Sequence, residues 1–208
     1  MDELTALPFD KFLDQLADRT PTPGGGAVAA AGGALACAMA RMVAAYSLKE
    51  NTEADARHRI ETFAMRLRRA DGLLRALVTQ DGEAYTKMTA AAKAARKDPA
   101  AGNAYTEAVM IAISVPMEIA ALASEALATM DEFKALANPY LLSDLGVAAV
   151  LAEATAQAAR YSVLINAREL ADETARIRVT TEIAETVSHS AKLREAVESF
   201  VAAHLEND

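Results

Sequence analysis

Asp81 is the residue whose type and position most strongly suggest chemistry. Apolar side chains recur every three or four residues from Ile60 to Ala95, which is the spacing of one helix face, and Asp81 interrupts that row. Burial of a carboxylate is costly unless something compensates it. Two interpretations follow: a structural carboxylate paired with an arginine or lying in a local pocket, or a general base and cation stabiliser at the wall of a cleft. Glu83 and Tyr85 are expected on other faces of the helix.

Three consecutive glycines form the second candidate site. Gly24, Gly25 and Gly26 follow Pro23 and precede an alanine-rich helix. Glycine lets a ligand approach the backbone closely, and a helix N-terminus offers free N–H groups with a partial positive charge. The pattern is neither a P-loop nor a dinucleotide fingerprint, because the Lys-Ser/Thr pair and the strand are missing. A ligand-binding turn and a simple loop-to-helix hinge both stay open.

Polar residues also occur at two places on the fifth predicted helix. Ser143 and Asp144 suit the start of a helix, as a cap and a carboxylate that favours the helix dipole. Asn166 falls on an apolar stripe, where a buried amide must find partners in the protein or on a ligand. On one straight helix, Asp144 and Asn166 are about 33 Å apart. They therefore belong to sites completed by different subunits, or one of them is structural.

Metal and thiol chemistry find little support. The three histidines lack the paired Glu-x-x-His motifs of helical di-iron proteins, so no metal site is predicted. The one cysteine, Cys37, lies among small apolar residues and is expected to be a buried hydrophobe rather than a nucleophile.

Composition restricts the class of protein. The chain has 208 residues, 52% of them hydrophobic, a net charge of −8 and few aromatics, which predicts one globular domain over residues 1–208. The acidic balance argues against nucleic acid as a partner. Residues 1–3 lack the basic start of a signal peptide, and the uncharged stretch 27–40 is shorter than the roughly 20 residues of a membrane span. A cytoplasmic protein without membrane contact is therefore expected.

The spacing of apolar residues predicts an all-α bundle of about five to seven helices. Pro116 should kink or break the fourth helix, and a cap pattern at 52–55 should start the third. The second helix carries a face of small residues, which suits burial within the monomer and a subunit contact equally. The predicted helices cover approximately 9–16, 26–48, 52–97, 103–137, 143–170 and 172–205.

Taken in order, these segments resemble the cyclodeaminase/cyclohydrolase family. That family contains the cyclodeaminase domain of formiminotransferase-cyclodeaminase and the stand-alone methenyltetrahydrofolate cyclohydrolases. The resemblance covers about residues 12–173. It rests on the glycine signature at 22–26, Asp-x-Glu-Ala-aromatic at 81–85, Val-Pro at 115–116, Ser-Asp-x-x-Val-Ala at 143–148 and the segment ending in asparagine at 163–166.

The resemblance implies a fold, a chemistry and a set of site residues. It implies an all-helical homodimer that acts on a tetrahydrofolate derivative without a metal or redox cofactor. Asp81 falls on the family's catalytic aspartate. Pro23, Gly24, Gly25, Gly26, Lys49, Ser143, Asp144 and Asn166 would bind substrate. Many members have a serine at the position of Ala27 and a more basic segment around Lys49.

The resemblance leaves three functions open. The first is hydrolysis of 5,10-methenyltetrahydrofolate to 10-formyltetrahydrofolate, and the second is formiminotetrahydrofolate cyclodeaminase activity with release of ammonia. The third is a non-catalytic helical interaction protein, which the small-residue face and the reduced basic segment favour. The first is preferred, because no formiminotransferase domain is present in this sequence.

Overall fold

The computed structural model describes residues 4–205, and the long elements in that range are all helices. The predicted all-α bundle is confirmed. The acidic N-terminal segment 1–3 lies outside the described residues, and the division of the chain into one domain stays a prediction. The helices are α1 (Phe9–Ala17), α2 (Gly25–Ser47), α3 (Ala54–Ala95), α4 (Gly102–Phe133), α5 (Leu142–Ala167) and α6 (Glu173–Leu205).

An antiparallel pair, α2 and α5, forms the centre of the bundle. Gly25 near the start of α2 lies beside Ser162 near the end of α5, and Gly33 lies beside Thr155 about two turns further along. Helix α3 packs on the other side of α2, α6 packs on α5, and α4 contacts α3, α5 and α6. The pocket described below lies at the end of the bundle where α2 begins and α5 ends.

The small residues of α2 allow this close packing. A Cβ at Gly33 would approach Leu74 of α3 and Thr155 of α5 to about 3.0–3.1 Å, closer than ordinary contact. The whole small-residue face is buried within the monomer, which decides between the two uses that the sequence left open. Its members are Gly26, Ala30, Gly33, Cys37, Ala40 and Ala44.

Helix α3 supplies the longest apolar seam and follows the predicted spacing. Its buried positions run from Ile60 to Ala84, after which the helix continues to Ala95 without a fully buried residue. The predicted cap at its start was wrong in detail. The helix begins after Glu53, and the Thr52 hydroxyl instead accepts a hydrogen bond from the backbone N–H of Lys49 at 2.7 Å.

Two further expectations concern α4 and Cys37. A kink or a break was predicted at Pro116, and helix α4 continues through this residue, so the break does not occur. Cys37 is fully buried, and burial raises the pKa of its thiol to about 12, with the negative charge of Asp71 acting in the same direction. It is therefore a packing residue in this fold.

Three helical segments are long and apolar enough to cross a membrane by length and composition. They are Gly25–Ser47, Pro99–Leu136 and Pro139–Ala167. The sequence estimate considered only the uncharged stretch 27–40 and therefore underestimated the first of them. The expectation of no membrane contact stays a prediction.

Candidate functional site

One cavity brings the glycine turn, Asp81 and Asn166 together. It has a volume of about 340 Å³ and opens at the start of α2, between α3 and the end of α5. It is lined by Pro21, Thr22, Gly24, Gly25, Gly26, Asp81, Ala84, Tyr85, Met88, Ala112, Ser162, Ile165, Asn166 and Glu169. We refer to it as the Asp81 pocket.

Asp81 reaches this pocket from the core side of α3. Its Oδ2 accepts a hydrogen bond of 3.0 Å from the backbone N–H of Ala27, which is one of the free donors in the first turn of α2. Burial raises the pKa of this carboxyl above its ordinary value, and the Ala27 hydrogen bond opposes the rise. The carboxylate is thus oriented by a fixed donor and is a stronger base than an exposed aspartate.

Gly26 is the residue that makes room for this carboxylate. A Cβ at Gly26 would lie 2.1 Å from Oδ1 and 2.5 Å from Cγ of Asp81, distances that no side chain could tolerate without moving. In contrast, Cβ atoms at Gly24 and Gly25 would meet no protein atom closer than 3.9 Å. The glycine run therefore has one member required by the protein itself, and two that leave the pocket wall open to a ligand.

A second carboxylate on α3 shows what a structural pairing looks like in this fold. Asp71 is buried, and it accepts hydrogen bonds from Arg41 at 2.8 Å and from Arg75 at 2.6 Å. No such arginine faces Asp81, whose only ion or hydrogen-bond partner among residues 4–205 is the Ala27 N–H. The arginine pairing that the sequence allowed for Asp81 is found at Asp71 instead. Of the two structural interpretations of Asp81, only its position in a local pocket remains.

The side chain of Asn166 binds a backbone carbonyl that Pro116 leaves without its helical donor. Proline has no N–H, so the carbonyl of Ala112, four residues earlier in α4, lacks its helical donor. The Asn166 side-chain amide donates to this carbonyl at 2.7 Å. Pro116 and Asn166 therefore act together, because the hydrogen bond to Ala112 joins α5 to α4. The same hydrogen bond holds the rest of the Asn166 amide at the pocket wall.

This pairing predicts a coupled effect on stability. Asn166→Leu leaves the Ala112 carbonyl without a donor and should cost about 1–3 kcal/mol. In a Pro116→Ala background, the alanine supplies the missing backbone N–H, so the same substitution should cost much less. Urea unfolding of the four proteins of this double-mutant cycle measures the coupling. Equal costs in the two backgrounds would show that the Ala112 carbonyl does not depend on Asn166.

Several lining residues were missed, although their spacing could have identified them. Tyr85 lies four residues after Asp81, so its assignment to another helix face was wrong. Ser162 lies four residues before Asn166 and shares its face in the same way, and Ile165 lies three residues after Ser162. Glu169 follows the end of α5, and its carboxylate accepts a hydrogen bond from the Tyr105 hydroxyl of α4, which raises the pKa of that tyrosine.

The charged side chains described in the lining of the Asp81 pocket are all acidic. Two carboxylates, Asp81 and Glu169, are among the described lining residues, and none of these residues is lysine or arginine. A pocket of this kind favours a ligand whose reacting part is cationic, and burial of Asp81 strengthens the attraction.

Three predicted site residues lie at the opposite end of the bundle. Ser143 and Asp144 are in the first turn of α5, and Lys49 follows the end of α2. The 22-residue separation of Asp144 from Asn166 on one helix corresponds to about 33 Å. Within one chain these residues do not meet the Asp81 pocket. Pro23 is buried beside the pocket but does not line it.

The raised pKa of Asp81 has a consequence for stability. A group whose pKa is raised by folding stabilises the fold fully below its unfolded value of 3.8, and this contribution is lost as pH rises through the folded pKa. Asp81→Asn removes the titration and keeps an oxygen that can accept from Ala27. Its stability relative to wild type should therefore rise between acid and neutral pH, as measured by urea unfolding. A constant difference across that range would contradict the shift.

Metal binding finds no geometric support in residues 4–205. No group of three or more His, Cys, Asp or Glu side chains in that range is placed to hold an ion. That the protein needs neither metal nor cofactor stays a prediction.

The fold and the pocket define a class: an all-helical protein with a half-buried carboxylate, held by a backbone N–H and facing no described arginine or lysine, at a glycine-rich helix start, an arrangement suited to a cationic ligand. A sequence profile described as Formiminotransferase-cyclodeaminase matches residues 8–185. The chain belongs to this family, and the resemblance noted from the sequence is confirmed.

Similar proteins fall into two kinds. A formimidoyltransferase-cyclodeaminase of Rattus norvegicus is 30% identical over 200 residues, covering 90% of this chain and 36% of the rat protein. A methenyltetrahydrofolate cyclohydrolase of Methylorubrum extorquens is 31% identical over 175 residues, covering 79% of this chain and 81% of that protein. The chain thus spans about a third of the bifunctional relative and most of the cyclohydrolase.

A solved structure has the same fold. The formiminotetrahydrofolate cyclodeaminase of Thermotoga maritima superposes with a TM-score of 0.89 at 31% identity, covering 97% of this chain and 98% of that chain.

Proposed function

We propose that this protein is a folate one-carbon enzyme that hydrolyses 5,10-methenyltetrahydrofolate to 10-formyltetrahydrofolate. The observation that carries the proposal is Asp81, a half-buried carboxylate that has no cationic partner among residues 4–205 and lies in a pocket with no described lysine or arginine in its lining. The similarity to a methenyltetrahydrofolate cyclohydrolase over 81% of that protein's length supports the choice of substrate.

The substrate carbon between N5 and N10 belongs to an amidinium, which is cationic and electrophilic. Asp81 attracts this cation and takes a proton from the water that adds to the carbon. The C–N5 bond of the resulting carbinolamine then breaks, and Asp81 returns its proton to N5. Loss of the remaining hydroxyl proton to solvent gives the N10-formyl group, so one water is consumed and one proton is released.

The raised pKa of Asp81 suits both halves of this sequence. A base with a pKa nearer to neutrality accepts a proton from water more readily, and its conjugate acid is still able to protonate N5. The Ala27 N–H keeps Oδ2 in place, which leaves Oδ1, on the side of Gly26, as the oxygen that takes the proton. Glu169 adds a second negative charge at the pocket.

The second candidate is a formiminotetrahydrofolate cyclodeaminase, favoured by the likeness to the solved structure from Thermotoga maritima. In that reaction N10 attacks the formimino carbon, and ammonia leaves after it is protonated. The same carboxylate could take the N10 proton and deliver one to the leaving nitrogen. Both reactions pass through a tetrahedral carbon bridged between N5 and N10.

Purified protein assayed separately with the two substrates tests the proposal. Near-ultraviolet absorbance should decay rapidly with methenyltetrahydrofolate as the substrate ring opens. A rise of the same absorbance from formiminotetrahydrofolate, with ammonia released, would favour the cyclodeaminase instead. Turnover of neither substrate, together with no heat of binding for a reduced folate in calorimetry, would overturn both and favour a helical interaction protein.

Other expectations from the sequence accompany the proposal without a test in this structure. A cytoplasmic location and the absence of nucleic-acid and membrane partners stay predictions. So do the substrate-binding roles of Pro23, Ser143, Asp144 and Lys49.

A further inference from the structure

The Asp81 pocket has an inner end and an outer end, with a carboxylate at each. Asp81 is half-buried against Gly26 at the start of α2, where Ser162 of α5 also lies. From Ser162 the chain runs outward for seven residues to Glu169, about 10 Å at the helical rise of 1.5 Å per residue. Met88, also in the lining, lies the same seven residues beyond Asp81 on α3. The pocket is therefore a slot whose outer end carries the exposed carboxylate of Glu169.

Two hydrogen bonds fix the position of Glu169. Its backbone N–H donates to the carbonyl of Asn166 at 3.0 Å, and its side-chain Oε2 accepts from the Tyr105 hydroxyl of α4 at 2.5 Å. Tyr105 lies two turns before Ala112, whose carbonyl holds the Asn166 amide. Both polar side chains on this wall are thus anchored to α4. Among residues 4–205 no donor is described for Oε1 of Glu169, which leaves that oxygen to accept from a ligand.

A tetrahydrofolate derivative has three kinds of polar group, and one of them suits this carboxylate. The cationic bridge between N5 and N10 faces Asp81 under the proposed function, on which this inference rests. The glutamate end is anionic, and Glu169 would repel it. The pterin ring carries a 2-amino group beside a ring N3–H, two parallel donors that match carboxylate oxygens as a guanidinium does. One bicyclic ring separates this edge from the bridge, which fits a slot about 10 Å long.

We propose that Glu169 binds the 2-amino and N3–H edge of the pterin ring, with Tyr105 as the residue that positions its carboxylate. Glu169 thereby selects a 2-aminopteridine, because a ligand without these donors leaves the carboxylate unpaired. The benzoylglutamate part leaves the pocket over the glycine turn. A Cβ at Gly24 would meet no atom within 4 Å, so the wall is open there.

Steady-state kinetics with methenyltetrahydrofolate separate this role from catalysis. Glu169→Gln turns an amide N–H towards one of the ring donors, so KM should rise by about tenfold to a hundredfold, as expected for hydrogen bonds to a charged group. The value of kcat and its pH profile should stay near wild type, because the pterin edge is remote from the reacting carbon. An unchanged KM would overturn the proposal. So would a lower KM, which is expected if the anionic end of the substrate lies beside Glu169.

The matched control for this substitution is Glu107→Gln. Glu107 is exposed on α4, two residues after Tyr105, and is not among the described lining residues. The variant has the same change of charge as Glu169→Gln and should keep the KM of the wild type. A rise in KM of equal size in both variants would show that net charge, and not a contact of Glu169, sets the affinity.

Tyr105→Phe tests the positioning role. Without the hydroxyl, the Glu169 carboxylate is free to turn away, so KM should rise several fold at unchanged kcat. In the Glu169→Gln background the same substitution should add little, because no carboxylate is left to position. Equal effects in the two backgrounds would contradict the positioning of Glu169 by Tyr105.

Calorimetry with a ligand that does not react tests the contact itself. The probes are 5-formyltetrahydrofolate and its analogue with a methyl group in place of the 2-amino group. Glu169→Gln should weaken binding of the first probe by about the factor seen in KM and of the analogue much less. Equal weakening would contradict the contact and indicate a structural role for Glu169.

The same titrations separate this inference from the proposed function. If binding of 5-formyltetrahydrofolate depends on Glu169 but neither folate substrate is turned over, the proposed function fails and the pterin contact stands. If methenyltetrahydrofolate is hydrolysed with the same KM by wild type and Glu169→Gln, the proposed function stands and the contact fails. No heat of binding for 5-formyltetrahydrofolate in the wild type would overturn the contact.

Discussion

Replacing Asp81 with asparagine is expected to lower turnover of 5,10-methenyltetrahydrofolate by about a thousandfold, within the range of general acid–base catalysis. Asparagine has nearly the same shape and can accept the Ala27 hydrogen bond, but it cannot take a proton from water. The loss should fall on kcat. Steady-state assays with purified protein measure it, and turnover within a few fold of wild type would remove Asp81 from the chemistry.

The fold of this variant should be intact, which separates chemistry from unfolding. Burial penalises the charged form of Asp81 and raises the pKa of its carboxyl, so its neutral replacement should unfold at the same or a higher urea concentration. Circular dichroism and urea unfolding provide the check. Asp71→Asn is a useful contrast, because it weakens the pairing with Arg41 and Arg75 and should destabilise the fold instead.

The second large effect is expected from a single methyl group. In Gly26→Ala, the new Cβ would occupy the place of the Asp81 carboxylate, at 2.1 Å from Oδ1, so the carboxylate must rotate away from the Ala27 N–H. Misplacing a catalytic group by about 1 Å costs on the order of a hundredfold in rate. We expect kcat to fall by about that factor.

The matched control for this substitution is Gly72→Ala. Gly72 lies on α3, and a Cβ there would meet no atom within 4 Å. The variant should retain wild-type activity and gain up to about 1 kcal/mol of stability from helix propensity. If Gly26→Ala retained wild-type kcat as well, the carboxylate geometry would not be required for turnover.

The apolar seam of α3 could be predicted from the sequence because it depends only on the spacing of residues within one helix. Helical spacing from Ile60 to Ala84 directs each apolar residue to one side, and Asp81 follows the same spacing into the pocket. The error for Tyr85 had the opposite cause. Four residues after Asp81 is one turn of helix, so the same spacing should have placed the two together.

Contacts distant in sequence could not be predicted in this way. The demand of the Ala112 carbonyl for a donor follows from Pro116, but only the packing of α4 on α5 shows that Asn166 meets it. Likewise, the sequence offers no means of telling that arginines reach Asp71 and not Asp81. Each partner lies on the matching face of another helix, which depends on how the helices are arranged.

The separation of the predicted site residues is the most informative of the differences between the sequence and the structure. Spacing alone suggested that Asp144 and Asn166 could not serve one pocket in one chain, and the structure places them near the two ends of α5. Lys49 lies at the Asp144 end, since Asn138, in the turn before α5, donates from its backbone N–H to Ser47 at 2.8 Å.

The central claim is that Asp81 is the base for ring opening, and single-turnover kinetics test it most directly. With enzyme in excess over methenyltetrahydrofolate, the rate of absorbance loss should rise with pH through an apparent pKa above 3.8 in the wild type, because only the carboxylate accepts a proton. In Asp81→Asn that rise should be absent and the rate should approach that of buffer. Superimposable pH profiles for the two proteins, both well above buffer, would contradict the claim.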